Sequence, residues 1–102
     1  MRFFIGNWKM FGVPKSINIL NKINSFYLKD KNRNKYRVII TPPYTLIKTF
    51  SKYFKNKKIT IGSQNCYQKD QFSSNTAAIS PYMLRSVGAK YTLIGHSDNR
   101  GE

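Results

Sequence analysis

The sequence predicts an α/β fold of parallel βα units, with four strands and three helices in a single domain over residues 1–102. Three observations carry that expectation. Short β-branched or aromatic runs alternate with amphipathic stretches. The strand starts fall roughly 20–35 residues apart, the length of a βαβ unit. Polar residues gather where each strand run stops, the side on which parallel units open their loops. Three successive strand–helix–strand crossovers call for a parallel sheet with right-handed connections.

Residues 2–8, RFFIGNW, form a short apolar run followed by the Gly12-Val13-Pro14 turn and read as a buried strand. From Ser16 onward, Ile17, Leu20, Ile23, Asn24 and Tyr27 recur at steps of three and four. That spacing predicts an amphipathic helix over 15–29. The polar loop DKNRN (30–34) leads into YRVIIT (36–41), a β-branched run bounded by TPP and hence a second strand. Leu46, Ile47, Phe50, Tyr53 and Phe54 make a helical stripe over 43–55. KITIGSQ (58–64) reads as a third strand, and 65–79 as a polar loop long enough to suggest a function of its own. Ser80 suits a helix cap, Pro81 the first helical position and Gly88 the far end, giving a helix over 80–88. YTLIG (91–95) is a fourth strand, followed at once by His96.

Composition narrows the function classes. The chain is 40% apolar and 15% aromatic, the profile of a globular protein. No apolar run approaches a membrane span, and the start lacks the features of a signal peptide. The lone Cys66 cannot form an internal disulfide, which fits a reducing, cytoplasmic setting. With one His and one Cys, a zinc site is not expected. The formal net charge of +14 raises the alternative of a small basic nucleic-acid-binding α/β module. Against it, the basic residues are scattered from Arg2 to Arg100, densest at 29–37 and 55–58, without interleaved aromatics of the RNA-binding kind. Solvated helix faces and loops account for them more simply.

Taken at the strand ends alone, the first strand delivers Asn7 and Lys9, the second Thr41, the third Gln64 and Asn65, the fourth His96, Ser97 and Asp98. A cation, amides, an imidazole and a carboxylate can therefore share one rim. An imidazole at the start of a following helix feels the positive dipole end and tends to stay neutral, so it can donate a hydrogen bond to a carbonyl. A histidine there serves equally well as a local turn cap. A lone lysine is more often a solvated surface residue, but Asn7 shares the face of Lys9 by the strand period of two. Lys9 could then supply charge for an anionic substrate and Asn7 a hydrogen bond.

GNWKM (6–10), QNCY (64–67), AISP (78–81) and IGHSDNR (94–100) resemble the triosephosphate isomerase family, in the right order and spacing over the whole chain. The resemblance implies a (β/α)8 barrel, of which this chain is similar to the first half. It implies interconversion of dihydroxyacetone phosphate and D-glyceraldehyde 3-phosphate through an enediolate, in glycolysis and gluconeogenesis, with neither cofactor nor metal. By resemblance, Asn7 and Lys9 are the substrate-binding pair, Lys9 and His96 are catalytic, and His96 polarises the carbonyl. Thr76 matches the tip of a loop that reaches the other subunit in the family's homodimer, and Gln64, Asn65 and Asp98 match supporting positions. No membrane or nucleic-acid partner is implied.

The sequence departs from the family at several points. Asp98 stands where a Glu is usual, and Ala78 and Asn99 stand where the family pairs a Glu with an Arg. Both charges of that pair are absent together, which leaves neither unpaired. The family's catalytic Glu and its phosphate-binding loops have no counterpart in these 102 residues, so the chain alone is expected to be inactive. A half barrel also leaves open strand edges, and self-association, visible in light scattering, or marginal stability is expected of the chain alone. A third possibility is a structural half barrel that completes eight strands with a partner.

Overall fold

The computed structural model describes residues 2–55, 59–67, 72–74 and 76–93. The first strand, β1, is Arg2–Asn7, followed by a single 3-10 turn at Pro14–Ser16 and helix α1, Ile17–Lys29. A second 3-10 turn, Arg33–Lys35, leads to β2, Tyr36–Thr41, then α2, Tyr44–Tyr53, β3, Ile59–Ile61, and α3, Pro81–Ser86. Among the described residues the sheet has three strands in the order β1-β2-β3, all parallel. β1 and β2 pair over their whole length, from Arg2 opposite Tyr36 to Asn7 opposite Thr41. Their carboxyl ends therefore stop side by side.

Of the expected fourth strand, 91–95, the described residues 91–93 hold one parallel bridge, between Ser63 and Thr92. Residues 94 and 95 lie outside the described residues. Backbone bonds still dock this segment on the third strand's side: Lys90 N donates to Ile61 O at 3.0 Å, Ser63 N to Tyr91 O at 2.7 Å and Leu93 N to Ser63 O at 3.0 Å. Gly62 lets the two backbones approach, since a Cβ there would sit 2.8 Å from Tyr91 O. β3 is accordingly shorter than the expected 58–64, and residue 58 is not among those described.

The helices pack as their stripes predict. Leu20 and Tyr27 of α1 and Leu46, Ile47 and Phe50 of α2 are buried, with Ile40, Ile59, Ile61 and Leu84, in the core. Ser80 caps α3 by accepting from Met83 N at 3.2 Å. The helix closes with Gly88 N on Arg85 O and Ala89 N on Leu84 O, both at 3.1 Å, the double bond of a Schellman ending. Gly88 has φ +103°, the left-handed region that this ending needs.

One expectation is corrected. The first strand was expected to be buried, yet Phe3, Phe4 and Ile5 are each about half exposed. β1 is an edge strand, paired on one side only among the described residues. Its neighbour β2 is covered, with Ile39, Ile40 and Thr41 all buried.

Candidate functional site

The carboxyl ends of β1 and β2 are joined beyond the ladder. Trp8 N donates to Thr41 O at 3.1 Å, continuing the pairing by one residue. The Trp8 ring then meets Phe50 of the core at 5.5 Å and Phe11 at 5.5 Å, both edge-on. Past Trp8 the chain turns sharply. Asn7 Oδ1 accepts from Lys9 N at 2.9 Å, closing a side-chain-mediated turn. Lys9 has φ +54°, unusual for a residue with a long side chain. Such conformations cost about 1–3 kcal/mol and persist where the surroundings hold them, often at functional sites.

The holding group comes from the third strand's end. Gln64 Nε2 donates to Lys9 O at 2.7 Å and to Thr41 O at 3.0 Å. One carboxamide thus uses both N–H donors to tie the ends of β1 and β2 to its own segment. Thr41 is buried, its hydroxyl directed at Gly6 O at 3.5 Å. Gly12, at φ +121°, lies so close that a Cβ would come within 2.9 Å of Leu46 and 3.0 Å of Trp8. The turn carrying Lys9 is therefore built from backbone geometry, one amide clamp and an aromatic anchor.

The structure brings together Asn7, Lys9 and Gln64 of the residues singled out in the sequence. It changes why Asn7 and Lys9 are associated. They do not share a face by strand periodicity, because β1 ends at Asn7, and the Asn7 side chain itself turns the chain at Lys9. Asn65 takes part through its backbone, its carbonyl accepting from Tyr44 Oη at 2.9 Å. Burial, and secondarily the neighbouring Cys66, push the Tyr44 hydroxyl above its ordinary pKa. Thr76 is exposed on the loop, and its neighbour Ala77 has φ +65°. The base of that loop is closed by Tyr67 N donating to Ile79 O at 2.7 Å. His96, Asp98 and Asn99 lie outside the described residues. Among the described residues no three His, Cys, Asp or Glu side chains gather as metal ligands, and no helix is long and apolar enough to cross a membrane.

Gly12 and Trp8 are the contributors that sequence reasoning left as punctuation and apolar filler. A signal for Trp8 existed, since a lone Trp directly after a strand end is a large side chain that has to be buried somewhere.

The family model described as Triosephosphate isomerase matches residues 2–102. The triosephosphate isomerase of Buchnera aphidicola subsp. Baizongia pistaciae is 32% identical over 100 residues, 97% of this chain and 39% of that protein. The Wigglesworthia glossinidia brevipalpis protein of the same name is 39% identical over 97 residues, covering 94% and 36%. The crystal structure of triosephosphate isomerase from Bartonella henselae superposes with a TM-score of 0.85 at 32% identity, covering 98% of this chain and 40% of that one. The chain thus spans about two fifths of the length of the relatives it matches.

Proposed function

The chain belongs to the triosephosphate isomerase family, and from that premise we propose that it forms part of an enzyme interconverting dihydroxyacetone phosphate and D-glyceraldehyde 3-phosphate. The observation that carries this reading is the Gln64 clamp on the Lys9 turn. Lys9 is exposed, but its backbone is held at the strand's carboxyl end by Asn7 and Gln64, which fixes the point from which its charged side chain extends over the rim.

In this reading Lys9 attracts the anionic triose and stabilises negative charge as the enediolate forms. Asn7 sets the Lys9 turn and contacts the same substrate. His96 donates to the substrate carbonyl and polarises it as the neighbouring carbon loses its proton. The proton-abstracting base has no candidate among these residues, so the 102-residue chain by itself is proposed to lack useful turnover. Gln64, Asn65 and Asp98 act as supports. Thr76, on the exposed loop whose base is closed, is proposed to reach a second subunit of a homodimer in a cytoplasmic enzyme. The isomerase reading is preferred to a nucleic-acid-binding module because the family match runs through every strand that builds the rim.

The test is a chimera in which this chain replaces the corresponding segment of the Bartonella henselae enzyme. Turnover of dihydroxyacetone phosphate is expected, falling about 10²–10⁴-fold in Lys9→Met or His96→Gln. A chimera that folds and turns over equally well with both substitutions would sink the assignment.

A further inference from the structure

A groove of about 460 Å³ lies away from the Lys9 rim, between α2, β3 and the end of α3. Five cationic side chains line it: Lys48 and Lys52 on α2, Lys55 just beyond it, Arg85 on α3 and Lys90 after it. Among the described residues no acidic side chain lines it. Helix-end electrostatics explain two of the five. Lys52 and Arg85 sit in the last turns of their helices, where a cation offsets the negative dipole end. Lys48, Lys55 and Lys90 have no such account, and Lys48 and Lys52 are like charges at the unfavourable i, i+4 spacing.

The walls of the groove are fixed. Ser51 Oγ donates to Val87 O at 2.8 Å, pinning α2 to the end of α3. Gly88 packs against the Ser51 side chain so closely that any Cβ there would collide with it. The Arg85 guanidinium lies 6.0 Å from the Tyr82 ring, which orients it. Phe54, Ile59 and Ile61 supply an apolar floor. A prearranged cleft of this size, cationic at its walls and apolar beneath, is suited to a small, multiply charged anion.

We propose that this groove is a binding site for an oligophosphate, separate from the site that would take the triose. The phosphoryl groups bridge the α2 lysines and the Arg85–Lys90 side, relieving a repulsion that no acidic side chain lining the groove offsets among the described residues. The source is either free inorganic polyphosphate or the phosphate chain of a nucleotide whose base rests on the apolar floor.

Calorimetric titration of the 102-residue protein at low ionic strength tests this with two probes, inorganic triphosphate and adenosine triphosphate. Saturable one-to-one binding of either is expected, equal affinity assigning the site to phosphate alone and tighter nucleotide binding adding the floor. The triple variant Lys48→Gln/Lys52→Gln/Arg85→Gln should weaken binding about tenfold or more. Lys22→Gln/Lys31→Gln/Lys35→Gln removes as much charge elsewhere and should change it only about twofold. Lys48→Arg/Lys52→Arg, which keeps the charge, should retain binding and guards against a folding defect. Equal weakening by both Gln triples, absence of saturable binding by either probe, or tight binding of a single-stranded oligonucleotide with none of triphosphate would each overturn the proposal.

Discussion

The two ends of the β1–β2 pair are both polar, yet they are organised in opposite ways. At the amino end, one side-chain pair and short-range bonds between side chain and backbone close the connection from α1 to β2. Tyr36 Oη donates to Asp30 Oδ2 at 2.7 Å, Asn32 N donates to Asp30 Oδ1 at 2.9 Å, and Tyr27 Oη reaches the carbonyls of Arg33 and Tyr36 at 2.9 and 3.0 Å. At the carboxyl end, side chains are spent on the backbone: Asn7 on Lys9 N, Gln64 on Lys9 O and Thr41 O. There the backbone adopts positive φ at Lys9 and at Gly12, and the anchor reaches the core through Trp8 and Phe50. The difference separates two purposes. Polar groups that close an ordinary local connection stabilise the sheet, whereas polar groups that hold a strained turn, one of them from another segment, position whatever that turn carries.

The strongest way to break this contrast is to remove the core anchor. Phe50 is fully buried and touches the Trp8 ring. Phe50→Ala should cost about 3–5 kcal/mol in urea unfolding, a large share of the roughly 5–15 kcal/mol that stabilises a typical domain. Emission from Trp8, the only tryptophan, should shift to the red before the main transition. A loss below about 1 kcal/mol with unchanged emission would show that the carboxyl end does not lean on the core.

The clamp gives a smaller and more local effect. Gln64→Leu removes both donors but leaves Thr41 O its bond from Trp8 N. The expected cost is about 1–2 kcal/mol. Hydrogen exchange should quicken at the Lys9 and Trp8 amides while those of β2 near Tyr36 stay protected. Uniform quickening along both strands would mean that Gln64 serves global stability and has no special hold on the Lys9 turn.

How much of this was legible in the sequence follows from the range of each interaction. The bounds of β2 at 36–41 and the cap, proline and closing glycine of α3 are local signals, and the structure has them as read. The Gln64–Lys9 bond joins residues 55 apart in sequence, so no local pattern announces it, although Gln64 stood out as a strand-end polar residue. The positive φ of Lys9 combines a local partner, Asn7, with a distant one, Gln64, and only the first lies within reach of a sequence pattern. The half-exposed face of β1 could not be read from RFFI, because an apolar run records what a strand can bury and not whether a neighbour covers it. Of the expected fourth strand, the described residues 91–93 join the sheet through the parallel bridge at Ser63–Thr92, a pairing with a partner 29 residues away that no local pattern announces.

The smallest effect belongs to the amino end, and it has a pH signature. The hydrogen bond from Tyr36 is the main influence holding the Asp30 carboxyl below its ordinary 3.8, helped by Asn32 N–H and the Arg33 charge and opposed by burial. The same bond, with burial and the Asp30 charge, pushes the Tyr36 hydroxyl up to about 12. A lowered acid pKa gives stability that is complete above 3.8 and is lost as pH falls below it. A raised phenol pKa gives stability that is complete below 10 and is lost as pH rises through about 12. The pair therefore contributes a plateau between those limits, modest because both groups are solvent-screened. In Asp30→Ala, an NMR titration of the Tyr36 ring carbons should find its midpoint moved down toward 10. Stability at neutral pH should fall by less than in Gln64→Leu, and Lys9 amide exchange should not change. If Tyr36 still titrated near 12, or if the Lys9 turn loosened, the two ends of the sheet would be coupled and their division of purpose would fail.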